Sequence, residues 1–178
     1  MSDQSRTKRI LLLTGAPGIG KTTLVRKVAG TLADLRIRGF TTEEIRERGR
    51  RRGFLLETFD GGKATLAHVD IKSPHRVGRY GVDVDMMDRM TDRTLRPDRS
   101  TELFLIDEIG KMECFSSKFV AAVRALMDSE ARVIATISLK GSEFIKQVKQ
   151  HPQAELWDIT KENRDKMVER ILAWLGQG

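Results

Sequence analysis

Eight consecutive residues, Gly15-Ala16-Pro17-Gly18-Ile19-Gly20-Lys21-Thr22, fit the spacing G-x-x-x-x-G-K-[ST]. The chemistry this pattern supports is capture of a polyphosphate. Its glycines let the backbone wrap closely around phosphate oxygens, with several N–H groups pointing inward. A helix opening at the end of the loop, near Thr23, adds its positive dipole end. Lys21 can reach the β- and γ-phosphates of a nucleoside triphosphate, and the Thr22 hydroxyl can ligate Mg²⁺. Four fixed positions match by chance on the order of one time in a hundred for a chain this long. A setting between a strand-like run and a helical pattern makes an accident rarer still.

A second constellation lies at Asp107-Glu108, directly after the apolar run Leu103-Phe104-Leu105-Ile106 and before Ile109-Gly110. A carboxylate at the carboxyl end of a parallel strand faces the crevice where α/β proteins bind ligands. Asp107 is placed to hold Mg²⁺, directly or through water, and Glu108 to polarise an attacking water. Alone, such a pair is an ordinary strand end; beside a phosphate loop it reads as chemistry. The expected site is therefore Gly15 to Thr23 together with Leu103 to Gly110. Thr22 and Asp107 are its metal ligands, and Lys21 and Glu108 its catalytic groups.

These residues need a scaffold of buried strands. Ile10-Leu11-Leu12-Leu13 is a continuous apolar run stopped by the glycine-rich turn, as in strands buried on both faces of a parallel sheet. Thr23 to Leu35 reads as a helix, and Ile37 to Glu43 as the next strand. Residues 44–69 alternate around Arg48-Gly49-Arg50-Arg51-Arg52-Gly53, then Phe54 to Phe59, then the turn signal Asp60-Gly61-Gly62. They predict antiparallel hairpins inserted into an α/β chain. Residues 73–82 read as loop, and Val84 to Leu95 as a helix ending before Pro97. Ser116 or Ser117 can cap a helix running to about Met127. Arg132 to Ile137 is a further strand, Ser142 to Gln150 a helix, and Leu156 to Ile159 a short strand. Thr160 is expected to cap a last helix with Met167, Ile171 and Leu175 on one stripe. Residues 1–8 read as a loose lead-in.

The chain resembles the small P-loop nucleoside-triphosphatases, the group that includes the cancer-related nucleoside-triphosphatase. The resemblance spans nearly the whole chain. It rests on Gly15 to Leu24, on Gly39-Phe40-Thr41-Thr42-Glu43-Glu44 and on Arg76-Val77-Gly78-Arg79-Tyr80-Gly81-Val82. It continues with Ile106-Asp107-Glu108-Ile109-Gly110-Lys111-Met112-Glu113, Ala135-Thr136-Ile137 and Glu162-Asn163-Arg164. The Asp-Glu-Ile-Gly-Lys-Met-Glu stretch is the most specific, because general P-loop proteins do not share it. The resemblance implies Mg²⁺-dependent hydrolysis of nucleoside triphosphates such as ATP and GTP, with loose base selectivity. It also implies a RecA-like, mostly parallel sheet flanked by helices, in which an extra strand separates those bearing Lys21 and Asp107.

Other charged residues have two readings each. Arg76 and Arg79 could stabilise charge on a transferring phosphoryl group, or be solvated loop arginines. Glu43 or Glu44 could assist the water or the metal. Asn163 and Arg164 could face the base, or serve an ordinary helix start. The cluster Arg46, Arg48, Arg50, Arg51 and Arg52 admits nucleic acid as a partner. With no aromatic residue interleaved, it reads better as a charged hairpin tip. His68, His75 and His151 have no metal-ligand spacing, and one cysteine makes no zinc site.

Length and composition set the frame. The chain has 178 residues, suited to one domain, with 39% apolar and 32% charged residues and a formal charge of +7. That excess suits a polyanionic ligand, though a net charge alone reads better as a merely soluble basic surface. Cys114 alone permits no internal disulfide and points to a reducing cytoplasm. No apolar run approaches the ~20 residues of a membrane helix, and no signal peptide is expected. A monomer is the simplest assembly. Two rival functions stay open: a kinase passing the γ-phosphoryl to an acceptor, since the same loop and Asp107 serve both chemistries, and a nucleotide-dependent, RNA-binding switch.

Overall fold

The computed structural model describes residues 8–176, so the lead-in expected at residues 1–8 lies outside it apart from Lys8. Nine strands form one sheet in the order β5-β6-β4-β3-β2-β7-β8-β1-β9. They are β1 (Ile10–Gly15), β2 (Ile37–Glu47), β3 (Arg50–Thr58), β4 (Lys63–His68), β5 (Arg76–Val77), β6 (Tyr80–Val82), β7 (Leu103–Ile109), β8 (Val133–Ile137) and β9 (Ala154–Ile159). The helices are α1 (Lys21–Thr31), α2 (Val84–Thr94), α3 (Ser117–Asp128), α4 (Glu143–Lys149) and α5 (Met167–Leu175).

The strands β2-β7-β8-β1-β9 run parallel. As expected of a RecA-like order, β8 lies between β1 and β7. Both faces of this part are covered, which is why Ile10 to Leu13 could be apolar without alternation. Leu11 and Leu13 pack with Leu24, Val25, Val28, Ile171 and Trp174 from α1 and α5. Ile10 and Leu12 belong to the opposite cluster, with Met86, Phe119, Val123 and Phe144 from α2, α3 and α4. Gly39 marks where β2 crowds its neighbour: its φ is +117° and a Cβ would stand 1.9 Å from the Leu105 carbonyl oxygen.

The expected antiparallel hairpin region continues the parallel sheet. It grows out of β2, which pairs with β7 over Ile37–Phe40 and with β3 from Phe40 to Glu47. The β2–β3 turn is Arg48-Gly49, with φ of 49° and 76°. Two successive positive φ values are what a two-residue hairpin turn of type I′ demands. Only Arg48 of the arginine cluster is therefore in the turn; Arg50, Arg51 and Arg52 stand on β3.

Three other expectations need correction. The segment 73–82 is not all loop, because β5 and β6 form a small hairpin around Gly78-Arg79, and β6 joins β4. Helix α1 starts at Lys21 and stops at Thr31, not Leu35. Thr160 does not cap the last helix: its N–H is taken by Asn163 Oδ1 at 2.9 Å, and its carbonyl accepts from Arg164 N. Those turns consume the chain as far as Lys166, so α5 opens at Met167, with Met167, Ile171 and Leu175 buried as the stripe required. Ser116 does cap α3, accepting from Phe119 N at 2.9 Å.

Candidate active site

Helix α1 opens differently from α2 and α3. Asp83 caps α2 and Ser116 caps α3 through side-chain oxygens. At α1 the preceding residue is Gly20, left-handed at φ 105°, and no side chain bonds the free N–H groups. An uncapped helix start approached by a glycine loop is a binding place for an anion. Lys21 Nζ meanwhile donates to the loop's own Gly15 carbonyl at 3.0 Å and Ala16 carbonyl at 3.4 Å. The ammonium thus waits at the mouth of the loop.

Asp107 and Glu108 arrive from β7 by a break in its regularity. Leu103 and Leu105 face α1 and α5, while Phe104 and Ile106 face the other layer. Strict alternation would then send Asp107 and Glu108 to opposite faces. Between the pairs Ile106↔Ala135 and Ile109↔Ile137, however, β7 uses one residue more than β8. This bulge shifts the phase, so Ile109 joins the face of Phe104 and Ile106, and both acids meet hydroxyls of β8 and its extension. Thr136 Oγ1 donates to Asp107 Oδ1 at 2.6 Å, and Ser138 Oγ donates to Glu108 Oε1 at 2.5 Å. Asp107 is buried; its Oδ2 has only long contacts, 3.5 Å each, to Thr42 N and Oγ1.

Between these elements lies a cleft of about 480 Å³, walled by the loop from Pro17 to Thr23, by Thr42, Glu43 and Glu44 of β2, by Arg26 and Phe54, and by Glu108. That size is ordinary for a small-molecule site. A second groove of about 390 Å³ adjoins it, sharing Gly18, Gly20 and Thr23 and adding Leu24, Lys27, Arg164, Asp165 and Val168. Among the described residues no group of three or more His, Cys, Asp and Glu forms a protein-only metal cage. The pair that can hold a metal, Asp107 Oδ2 and the Thr22 hydroxyl, is hard and oxygen-only. It leaves most of the coordination to phosphate and water, which fits Mg²⁺.

Of the remaining candidates, the cleft takes some and leaves others. Glu43 and Glu44 both line it. Glu44 is engaged, accepting from Arg51 at 2.7 Å and from Arg46 at 2.8 Å, and the Arg51 hydrogen bond first of all holds its carboxyl below the usual range. Arg76 and Arg79 do not line the cleft. Arg76 donates to the Arg79 carbonyl at 2.7 Å, and Arg79 donates to the Arg51 carbonyl and lies over the Tyr80 ring. Arg26 is the arginine that reaches the cleft, 3.4 Å from Glu43 and 3.7 Å from Glu57. It stands four residues after Thr22, on the same helix face; that spacing was the signal available in the sequence. Arg164 lines the second groove, whereas Asn163 is spent on Thr160 N and the Asp158 carbonyl.

The chain is similar to known proteins over most of its length. Residues 10–172 match the model of the family described as NTPase. The nucleoside-triphosphatase THEP1 of Thermotoga petrophila is 41% identical over 163 residues, covering 91% of this chain and 90% of that protein. The crystal structure of THEP1 from Aquifex aeolicus superposes with a TM-score of 0.84 at 39% identity, over 93% of this chain and 98% of that one. The solution structure of a human cancer-related nucleoside triphosphatase gives 0.79 at 32% identity, over 93% and 96%.

Proposed function

The chain belongs to the NTPase family, and on that premise we propose that it hydrolyses nucleoside triphosphates to diphosphate and phosphate, with Mg²⁺ and little selectivity for the base. One observation carries the reading: Lys21 and Thr22 of an uncapped phosphate loop share a cleft with Glu108.

The triphosphate enters the loop by its α- and β-phosphates, bonded by backbone N–H groups that carry no information about the base. Lys21 exchanges its two loop carbonyls for β- and γ-phosphate oxygens. Thr22 and Asp107 would hold Mg²⁺, which would offset the charge that develops on the leaving diphosphate. Thr136 fixes Asp107 for this task. Ser138 occupies Glu108 Oε1, so Oε2 remains for a water in line with the γ-phosphorus. As the bond from water to phosphorus forms and the bridging P–O bond breaks, the water's proton passes to Glu108. Arg26 adds positive charge at the same end. The nucleoside lies in the second groove, whose polar lining residues Lys27, Arg164 and Asp165 are exposed. Such walls reject few bases, which supports loose selectivity. Cys114 is half-buried and its thiol is pushed up to about 12, mainly by burial; an inert thiol suits a reducing cytoplasm.

A second reading has one observation behind it. The cleft continues past Lys21 to Glu43, Glu44 and Phe54, room in which a phosphoryl acceptor could stand. Phosphate release from ATP, GTP, CTP and UTP, measured with and without Mg²⁺ and added alcohol acceptors, separates the two. Release from all four without acceptor, dependent on Mg²⁺ and within about tenfold of one another, is the expected result. Strict dependence on an acceptor would replace hydrolysis by transfer.

A further inference from the structure

Just beyond β7, Glu113 opens a short 3-10 turn, Glu113–Phe115, and is buried. Hydrolysis as described above makes no use of it, although it closes the sequence stretch most specific to the family. Its surroundings are unusual for a carboxylate. Burial first, and then the negative charges of Glu108 and Asp107, push it up to about 8; the backbone N–H groups of Glu113 and Gly110 offset this only in part. At neutral pH the group is a neutral acid able to donate a hydrogen bond.

The geometry around it centres on Gly110. A Cβ at that buried position would stand 2.9 Å from Glu113 Oε2, 3.1 Å from Glu108 Oε1 and 3.1 Å from Ser138 Oγ. Three side chains thus close around one small space that only glycine leaves open. Two of them, Glu108 and Ser138, are already joined at 2.5 Å. We propose that Glu113 is a positioning residue for hydrolysis: with Ser138 it forms the back wall that keeps the Glu108 carboxylate turned into the cleft. Glu113 itself does not line the cleft; it acts through Glu108. The inference rests on the assignment of Glu108 as the base.

The test is a double-mutant cycle on the full chain, read as turnover and KM for ATP with Mg²⁺ well below each variant's melting midpoint. Glu113→Ala should lower kcat tenfold or more and leave KM within about twofold, because the phosphate loop is untouched. In a Glu108→Gln background the same change should cost less than about twofold, since the group it aims is already disabled. Glu113→Gln, neutral and of the same shape, should keep turnover within about threefold of the parent. Gly110→Ala fills the shared space and should repeat the kcat loss, so it carries the cycle if Glu113→Ala fails to fold. Equal losses in both backgrounds would mean a merely structural role, and wild-type turnover in Glu113→Ala would overturn the inference. Near-normal turnover in Glu108→Gln alone would instead remove the base assignment beneath it.

Discussion

Around β7 and β8 the acids Asp107, Glu108 and Glu113 meet hydroxyls, backbone N–H groups and one another. Around β3 to β6 the charges meet opposite charges near the surface. Arg46 and Arg51 pair with Glu44, Arg52 with Glu47 and Asp70, and Arg93 with Asp60. In the first region carboxylates are kept from cations, so a metal or a phosphate-bound water can claim them. In the second they are neutralised, and the arginine cluster is largely absorbed by its own strands. The lesson is that the density of charge in a segment says little about chemistry; the absence of a partner says more.

The steepest way to break this contrast is Lys21→Ala. It should reduce hydrolysis below detection and weaken nucleotide binding, and Lys21→Arg should not restore it, since a planar fork differs from a compact ammonium. Wild-type phosphate release by Lys21→Ala would remove the loop from the reaction. Glu108→Gln comes next. Fluorescent-nucleotide binding should persist while turnover falls ~10²-fold, the usual scale for losing a general base. If turnover holds, Glu43, paired only with Arg26 among the cleft's carboxylates, is the next to test.

Much of this was legible in the residues, and the misses are instructive. The phosphate loop and the apolar run leading into Asp107 are local patterns, and local patterns survive folding. The bulge that puts Asp107 and Glu108 on one face is a register relation between β7 and β8, and no window of β7 alone contains it. Arg76 and Arg79 stay outside the cleft for a similar reason: they look free in a loop, but β5 and β6 fold that loop into a hairpin that engages both. Taken as one unit, the arginine cluster places Arg51 in a turn. The two-residue turn at Arg48-Gly49 leaves it on β3, stacked 5.3 Å from the Phe54 ring centroid and bonded to Tyr80.

A milder effect sharpens the comparison through stability. Glu113 holds its proton in the folded state up to about pH 8, but only up to about pH 4.5, the ordinary glutamate value, when unfolded. Between those values the folded chain binds more protons, so stability falls as pH rises through that window. Urea midpoints should show Glu113→Gln gaining on the parent between about pH 5 and pH 8; parallel curves would mean the carboxyl is ionised throughout. Smallest of all should be Arg50→Ser with Arg52→Ser. These exposed or ion-paired positions of β3 lie away from the cleft wall, so turnover should stay within about twofold. A tenfold loss with the fold intact would bring the hairpin to the nucleotide.

The double use of β2 has a kinetic consequence. Its pairing with β3 closes over a two-residue turn, whereas its pairing with β7 joins Ile37 to Leu103 across the whole antiparallel region and α2. Loop-closure entropy favours the near partner, and hairpins form in roughly microseconds. The β2–β3 ribbon is therefore the natural early structure, presenting Ile37 to Phe40 as a ready edge. By the same entropy argument the strand that carries Asp107 and Glu108 is expected to dock on that edge later, with β8 following before Thr136 and Ser138 can hold them. The half of the sheet with the least chemistry is thus the template on which the reactive half is assembled.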